Sequence, residues 1–148
     1  MTGGWSDQLS GARKFEVLGQ RDDPRIVAFE AAVDFINLIG MKAIEDRIRA
    51  LATYLKRKLM EIPQVQLRTN LEPELSAGIV KFRLKGIETQ RAYDTLWQQH
   101  RIALAMTPST SPANEEGLRL SPHIYNSWED LDRAVDAATT LPASMRAH

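Results

Sequence analysis

One stretch decides the fold: Leu118-Arg119-Leu120-Ser121-Pro122-His123-Ile124-Tyr125-Asn126-Ser127. It runs from a short apolar strand into the start of a helix. Arg119 lies between two leucines of that strand, so its guanidinium is expected in a buried position, where a cation needs an anion beside it. The planar fork of arginine suits a carboxylate, which it holds through two parallel hydrogen bonds. The anion is either an internal Asp or Glu or a ligand from outside, and spacing leaves both open.

The residues after this stretch predict a terminal helix. Ser127 with Asp130, or Asn126 with Glu129, has the spacing of a capping box. Apolar residues then recur at helical intervals and predict the inner face of the helix: Leu131, Val135 and Ala138.

The residues before it predict two helices and then strands. The first helix starts at Asp23-Pro24, with the acid as its cap, and ends at Gly40. The second covers 42–61, with one apolar stripe formed by Ile44, Ile48, Leu51, Leu55 and Leu59. Its charged residues, Lys56 among them, are predicted on a solvated face. Strands are predicted at 65–68, 78–84, 102–106 and 117–121, with a helix at 89–100. In the 78–84 strand, Val80, Phe82 and Leu84 are predicted on one face. This order predicts an α+β fold: a short, mainly antiparallel sheet of about four strands covered on one side by helices.

The domain organisation is predicted to be simple. The chain has 148 residues, a usual size for one domain. Residues 1–23 are polar and Gly-rich without a sustained hydrophobic period, so we expect an irregular N-terminal arm before one domain at 24–148.

Composition excludes several functional classes. Lys+Arg and Asp+Glu both number 19, and the absence of a basic excess argues against a nucleic-acid partner. The absence of cysteine excludes disulfides, thiolate catalysis and Cys-ligated metals. No apolar stretch approaches the roughly 18 residues of a membrane span, and no signal peptide is recognisable. We therefore expect a cytoplasmic protein that does not enter a membrane.

The sequence offers no catalytic constellation. The three histidines, His100, His123 and His148, have no metal-site spacing, so no metal is expected. His123 follows the Arg119 strand, but a structural role is the simpler interpretation. Nucleophile and phosphate-loop motifs are absent as well. We predict no catalytic residue in this chain.

Two segments together resemble a known family. The first, Arg13-Lys14-Phe15-Glu16-Val17-Leu18-Gly19-Gln20-Arg21-Asp22, resembles the segment that opens the C-terminal part of class V aminotransferases. This family depends on pyridoxal phosphate and includes cysteine desulfurases and isopenicillin-N-epimerase-like proteins. In that family the opening segment is followed by a pair of helices, which the sequence around Ile36–Arg47 resembles. Leu118–Asp132 is similar to the family's strand that carries an arginine and to the start of its terminal helix. The resemblance covers about residues 13–140, and its first segment favours epimerase-like members.

The resemblance implies the small domain of a fold-type-I enzyme. The family's strand arginine binds the α-carboxylate of the amino-acid substrate, and Arg119 is the matching position. Gly19-Gln20 matches the place where the family's Gly-Thr reaches the cofactor phosphate, usually of the neighbouring subunit, which implies a homodimer. The Schiff-base lysine and the Asp that pairs with the pyridine nitrogen lie in a large N-terminal domain that precedes the match. The intact enzyme would therefore use pyridoxal phosphate, whereas this chain is expected to bind none covalently and to be inactive alone.

An alternative keeps the same anion site without the enzyme. Zero net charge and the lack of catalytic groups also fit a stand-alone α+β module that binds an amino acid or oligomerises. Arg119 would be the anion-binding residue in that case too.

Overall fold

The computed structural model describes residues 22–109 and 116–141. Within them the chain divides into two units, one ending at Ile39 and one starting at Gly40. The first unit contributes helix α1 (Asp23–Ile39), which has no buried residue. The cap of α1 is Asp22, one residue before the predicted cap Asp23. The backbone carbonyl and the side-chain Oδ1 of Asp22 both accept a hydrogen bond from the Arg25 backbone N–H. The predicted arm, residues 1–23, lies almost entirely outside the described residues.

The second unit contains a four-stranded sheet and three α-helices. Its elements are α2 (Met41–Met60), β1 (Val65–Leu67), β2 (Val80–Leu84), α3 (Thr89–Gln98), β3 (Ala105–Thr107), β4 (Gly117–Leu120) and α4 (Trp128–Thr139). The strand order is β1-β2-β4-β3, and every neighbouring pair is antiparallel. The predicted α+β architecture is confirmed. No helix of the described residues is long and apolar enough to cross a membrane.

The third strand starts later than predicted. It occupies Ala105–Thr107 instead of 102–106. The residues just before the observed strand form the turn after α3 instead. Arg101 has the left-handed φ of 57°, and the Ile102 N–H donates a hydrogen bond to the Leu96 carbonyl at 3.0 Å. Residues committed to closing the helix cannot pair with β4 at the same time.

The core lies between one face of the sheet and helices α2, α3 and α4. Alternation along β2 turns Val80, Phe82 and Leu84 inward, and all three are buried. Three residues of the predicted α2 stripe are also buried, Leu51, Leu55 and Leu59, whereas Ile44 and Ile48 nearer its start are half-buried. Each fully buried leucine or phenylalanine contributes about 1.5–3 kcal/mol relative to an exposed one. The opposite face of the sheet takes the alternate residues of each strand and is polar.

One charged residue of α2 departs from its predicted place. Lys56 was expected on the solvated face, but it is 1% exposed. Its Nζ donates to the carbonyls of Asn70 and Leu71 at 3.1 and 3.2 Å and to Ser76 Oγ at 2.7 Å. Burial lowers the pKa of Lys56. The 70–76 segment folds over α2 and supplies the oxygens that make a buried ammonium tolerable.

Candidate functional site

Arg119 is exposed, not buried as the sequence suggested. It is the third residue of β4, between the buried Leu118 and Leu120, so alternation turns its side chain to the polar face of the sheet. In register it stands opposite Lys81 of β2 on one side and Ala105 of β3 on the other. The site is therefore a sheet surface, and its guanidinium is accessible to a ligand.

The internal carboxylate considered for Arg119 is not found. Within residues 22–109 and 116–141, no hydrogen bond or ion pair engages its guanidinium. Glu116, just before β4, is directed elsewhere. Its Oε1 accepts a hydrogen bond from Thr89 Oγ1 at 2.9 Å and lies 4.0 Å from Arg83 Nη2. The guanidinium is therefore open to solvent and accessible to an external anion.

Lys81 shares the polar face with Arg119, because the two residues are opposite each other in the register of β2 and β4. Its Cε lies 3.2 Å and its Cγ 3.6 Å from the point that a Cβ on residue 117 would occupy. The lysine therefore extends along β4 over Gly117. The same Cβ would come within 2.8 Å of the Phe82 carbonyl oxygen, which no real Cβ tolerates. Glycine at 117 is what lets the two strands pair with Lys81 in this position.

The turn after β4 fixes the strand against two helices. Asn126 Oδ1 accepts the backbone N–H of His123 at 2.8 Å, and the Asn126 carbonyl accepts from Arg47 Nη2 at 2.9 Å. The guanidinium of Arg47 also lies 4.7 Å from the ring centroid of Trp128. These contacts tie the end of β4 to α2 and to the start of α4. Arg119 thus projects from a strand that is held at its end.

The predicted capping box forms at Ser127 and Asp130. The Asp130 N–H donates to Ser127 Oγ, and the Ser127 N–H donates to Asp130 Oδ2, both at 3.1 Å. The hydrogen bond from the Ser127 backbone is the main cause that lowers the pKa of Asp130, with a further hydrogen bond from Asn126. The start of α4 is therefore well defined next to the site.

Neither histidines nor carboxylates add a catalytic or metal centre in the described part of the chain. His123 is exposed and its ring lies 4.5 Å from that of Tyr125, a packing contact without a base or nucleophile partner. The described residues contain no cluster of three potential metal ligands. His148 lies outside the described residues.

Sequence reasoning missed Lys56, although a signal existed. Ala52, Leu55 and Leu59 are buried, and Lys56 lies four residues after the first and three before the last. The helical period therefore placed it on the inner stripe.

The described residues do not form a pyridoxal phosphate site by themselves. Lys56 is the buried lysine of the described ranges, and its Nζ already donates to three protein oxygens. No aromatic ring, lysine amine and carboxylate converge there as that cofactor requires. The candidate cofactor-phosphate contacts, Gly19 and Gln20, lie outside the described residues.

Comparison with known proteins supplies the family. The profile described as aminotransferase class-V matches residues 13–134. The chain belongs to the class-V aminotransferase family. It is similar to isopenicillin N epimerase of Streptomyces clavuligerus, with 34% identity over 132 residues, which are 88% of this chain and 32% of the relative. The chain thus spans about a third of that relative's length. Its similarity to an isopenicillin N epimerase agrees with the prediction from the Phe15–Asp22 segment, which favoured epimerase-like members.

Solved structures share the fold. Apo cysteine desulfurase from Thermococcus onnurineus NA1 superposes with a TM-score of 0.75 at 20% identity, covering 90% of this chain and 34% of that one. A C-DES K223A variant with glycine covalently linked to its pyridoxal phosphate cofactor superposes with a TM-score of 0.71 at 20% identity, covering 89% and 32%. The family and this structural neighbour are pyridoxal-phosphate-dependent, as the resemblance implied for them. This class-V chain corresponds to one part of such enzymes.

Proposed function

We propose that this chain is the C-terminal, substrate-binding part of a pyridoxal-phosphate-dependent class-V enzyme that acts on amino acids. In this proposal Arg119 binds the α-carboxylate of the substrate. The observation that carries it is the exposed guanidinium on β4, which has no partner among the described residues and lies on a strand held at its end. Family membership supports the same assignment.

The chemistry of Arg119 follows from its geometry. Five N–H donors in a plane match the two oxygens of a carboxylate, and the pair orients the ligand as well as attracting it. A charge-assisted pair of this kind contributes roughly 1.5–3 kcal/mol when it is shielded from water, and less on an open surface. The chain's contribution is therefore binding and orientation of the substrate.

A large domain would complete the site. The chain covers about a third of its curated relatives, and the Schiff-base lysine would come from the remainder. The described surface supports such a partner: an open apolar groove of about 700 Å³ lies between the start of α2 and the segments 77–79 and 121–123. Met41 and Ile79 on its rim are 65% and 52% exposed. Apolar surface of this extent is typical of an interaction site.

Three finer features belong to the same proposal. The intact enzyme would be a homodimer, as the resemblance implies, and cytoplasmic, as the composition suggests. This chain would be inactive without the large domain. Which reaction the enzyme catalyses depends on residues around the cofactor. In the alternative function, a stand-alone module that binds an amino acid or oligomerises, Arg119 would still be the anion-binding residue. A reading frame upstream of this segment that encodes a Schiff-base lysine would favour the enzyme over the stand-alone module.

Steady-state kinetics of the enzyme that contains this segment test the proposal. Arg119→Lys keeps the charge but removes the planar fork, so we expect KM for the amino acid to rise about tenfold or more. Arg91→Lys, on the exposed side of α3, is the matched control and leaves KM unchanged. Equal effects of the two substitutions, or none, would remove Arg119 from this role.

A further inference from the structure

We propose that a cavity between the end of β4 and the start of α4 binds a small monocarboxylate with a short apolar tail, and that Arg101 binds the carboxylate. The cavity has a volume of about 230 Å³. Its wall comes mainly from the turn after α3, the segment after β4 and the first turns of α4. Leu120 lines it from the helical side of the sheet, whereas Arg119 projects from the polar face. The inference therefore goes beyond the proposed function.

Arg101 has a backbone conformation that favours glycine. Its φ of 57° is left-handed, and no other non-glycine residue in 22–109 and 116–141 has a positive φ. An L side chain in this conformation destabilises the turn. The turn requires the conformation, because the Ile102 N–H bonds back to the Leu96 carbonyl, but it does not require an arginine. Glycine would be more stable here, and a strained residue of this kind points to a function of its side chain.

The charges around the cavity leave Arg101 available for a ligand. The charged residues of the wall are Arg101, Asp130 and Arg133. Asp130 is already engaged, since its Oδ2 accepts the Ser127 N–H at 3.1 Å and its Oδ1 lies 3.7 Å from Arg133 Nη1. Across the part of the chain that the structure describes, the guanidinium of Arg101 makes no hydrogen bond or ion pair. The wall thus carries one net positive charge, which complements a ligand with a single negative charge.

The remaining wall residues define the class of ligand. Its buried members are all apolar: Leu55, Leu120, Pro122, Leu131 and Ala134. They suit a hydrocarbon tail, while the planar guanidinium of Arg101 matches the two oxygens of a carboxylate. The cavity is smaller than the roughly 300–1,000 Å³ of pockets that hold drug-sized ligands, so the tail is short. A second carboxylate on the ligand would be repelled by Asp130.

Isobutyrate and isobutyramide test this inference, because they share their shape and differ in the charge of the head group. Each is titrated into the ¹⁵N-labelled 148-residue chain at low salt, and the Nε–Hε resonances of Arg101 and Arg119 are followed separately. We expect isobutyrate to shift the Arg101 resonance saturably and isobutyramide to leave it in place. Malonate is of similar size but carries two carboxylates, and it should bind at Arg101 more weakly than isobutyrate.

Two matched substitutions separate the role of Arg101 from a general loss of charge. In both, binding is read from the backbone amide resonance of Ala134 in the cavity wall. Arg101→Gln should weaken isobutyrate binding about fivefold or more. Arg91→Gln, the same change on the exposed side of α3, should retain the affinity of the parent chain.

A third variant separates binding from folding. Arg101→Gly should also lose isobutyrate binding, but its urea midpoint should be no lower than that of the parent, because glycine accepts the left-handed φ. A lower midpoint would mean that the arginine stabilises the turn, and the argument from its conformation would fail. An Arg101 resonance that ignores isobutyrate or responds equally to isobutyramide, tighter binding of malonate, or binding that survives Arg101→Gln overturns the inference. None of these results affects the role of Arg119, which is read from its own resonance.

Discussion

Lys81 and Arg119 stand directly opposite each other on the antiparallel strands β2 and β4, with their side chains on the polar face of the sheet. The residues beside them in sequence, such as Val80 and Leu120, form the core on the other face. In the proposed function, one pair of strands serves stability with one face and ligand binding with the other. Changes on the two faces should separate these properties.

Charge reversal at Lys81 should improve the sheet and impair binding. In Lys81→Glu the new carboxylate stands opposite Arg119, and a cross-strand pair of opposite charge contributes about 0.2–1 kcal/mol. It also occupies the guanidinium, so affinity for any amino-acid carboxylate should fall. Urea unfolding and an amino-acid titration of the same sample measure the two effects. Lys85→Glu is the control, and parallel changes of stability and binding in Lys81→Glu would contradict the assignment.

Lys56 should be needed for stability rather than for binding. In Lys56→Met the carbonyls of Asn70 and Leu71 and the Ser76 hydroxyl lose their donor, and we expect a loss of about 1–3 kcal/mol in the free energy of unfolding. Lys42→Met on the same helix, where the side chain is 80% exposed, should change the free energy by less than about 0.5 kcal/mol. Denaturant midpoints measure both. Equal midpoints for the two variants would show that the 70–76 contacts contribute nothing.

The Ser127 cap should be a separate source of stability. Ser127→Ala removes the acceptor for the Asp130 N–H, and the loss is expected to be about 0.5–2 kcal/mol. Thermal unfolding of the variant measures the loss. Thr139→Ala at the other end of α4 removes a hydroxyl that bonds within the helix, and it should have a smaller effect. A cap variant as stable as the parent would mean that the capping box does not hold α4.

Asp130 should make stability depend on acidity. Its pKa in the folded chain lies below the ordinary value of 3.8, chiefly because the Ser127 backbone donates to the carboxylate. Between the two values the unfolded chain binds more protons, so this contribution is complete above 3.8 and is lost as pH falls through the folded pKa. Asp130→Asn should flatten the pH dependence of the urea midpoint below about pH 4, where the carboxylate of the folded chain takes up its proton. An unchanged slope would contradict the role of this hydrogen bond.

The sequence was sufficient for the architecture, because strong hydrophobic periods determine which face of each element is buried. The alternation of Val80, Phe82 and Leu84 and the α2 stripe are local signals, and both were interpreted correctly. The predicted start of β3 was wrong, because Arg101 and Ile102 belong to the turn that ends α3. That turn depends on backbone geometry rather than on residue type.

Long-range contacts limited what could be inferred about charged residues. The helical period places Lys56 on the inner stripe, but the oxygens that bind its ammonium come from residues 70–76, whose return to α2 no local pattern reveals. Arg119 was expected in a buried position because two leucines flank it, but the helices of this unit pack on the leucine side. The pairing of Lys81 with Arg119 depends on register, which the sequence of either strand does not specify by itself.

The most direct test of the central claim follows the Arg119 guanidinium by NMR while the 148-residue chain is titrated with L-alanine or with L-alaninamide. The two ligands share an amine and a methyl group, but the amide lacks the carboxylate. We predict that alanine shifts the Arg119 Nε–Hε resonance saturably, while alaninamide leaves it in place and the Arg91 resonance moves with neither. An Arg119 resonance that ignores alanine, or responds equally to both ligands, would contradict the account.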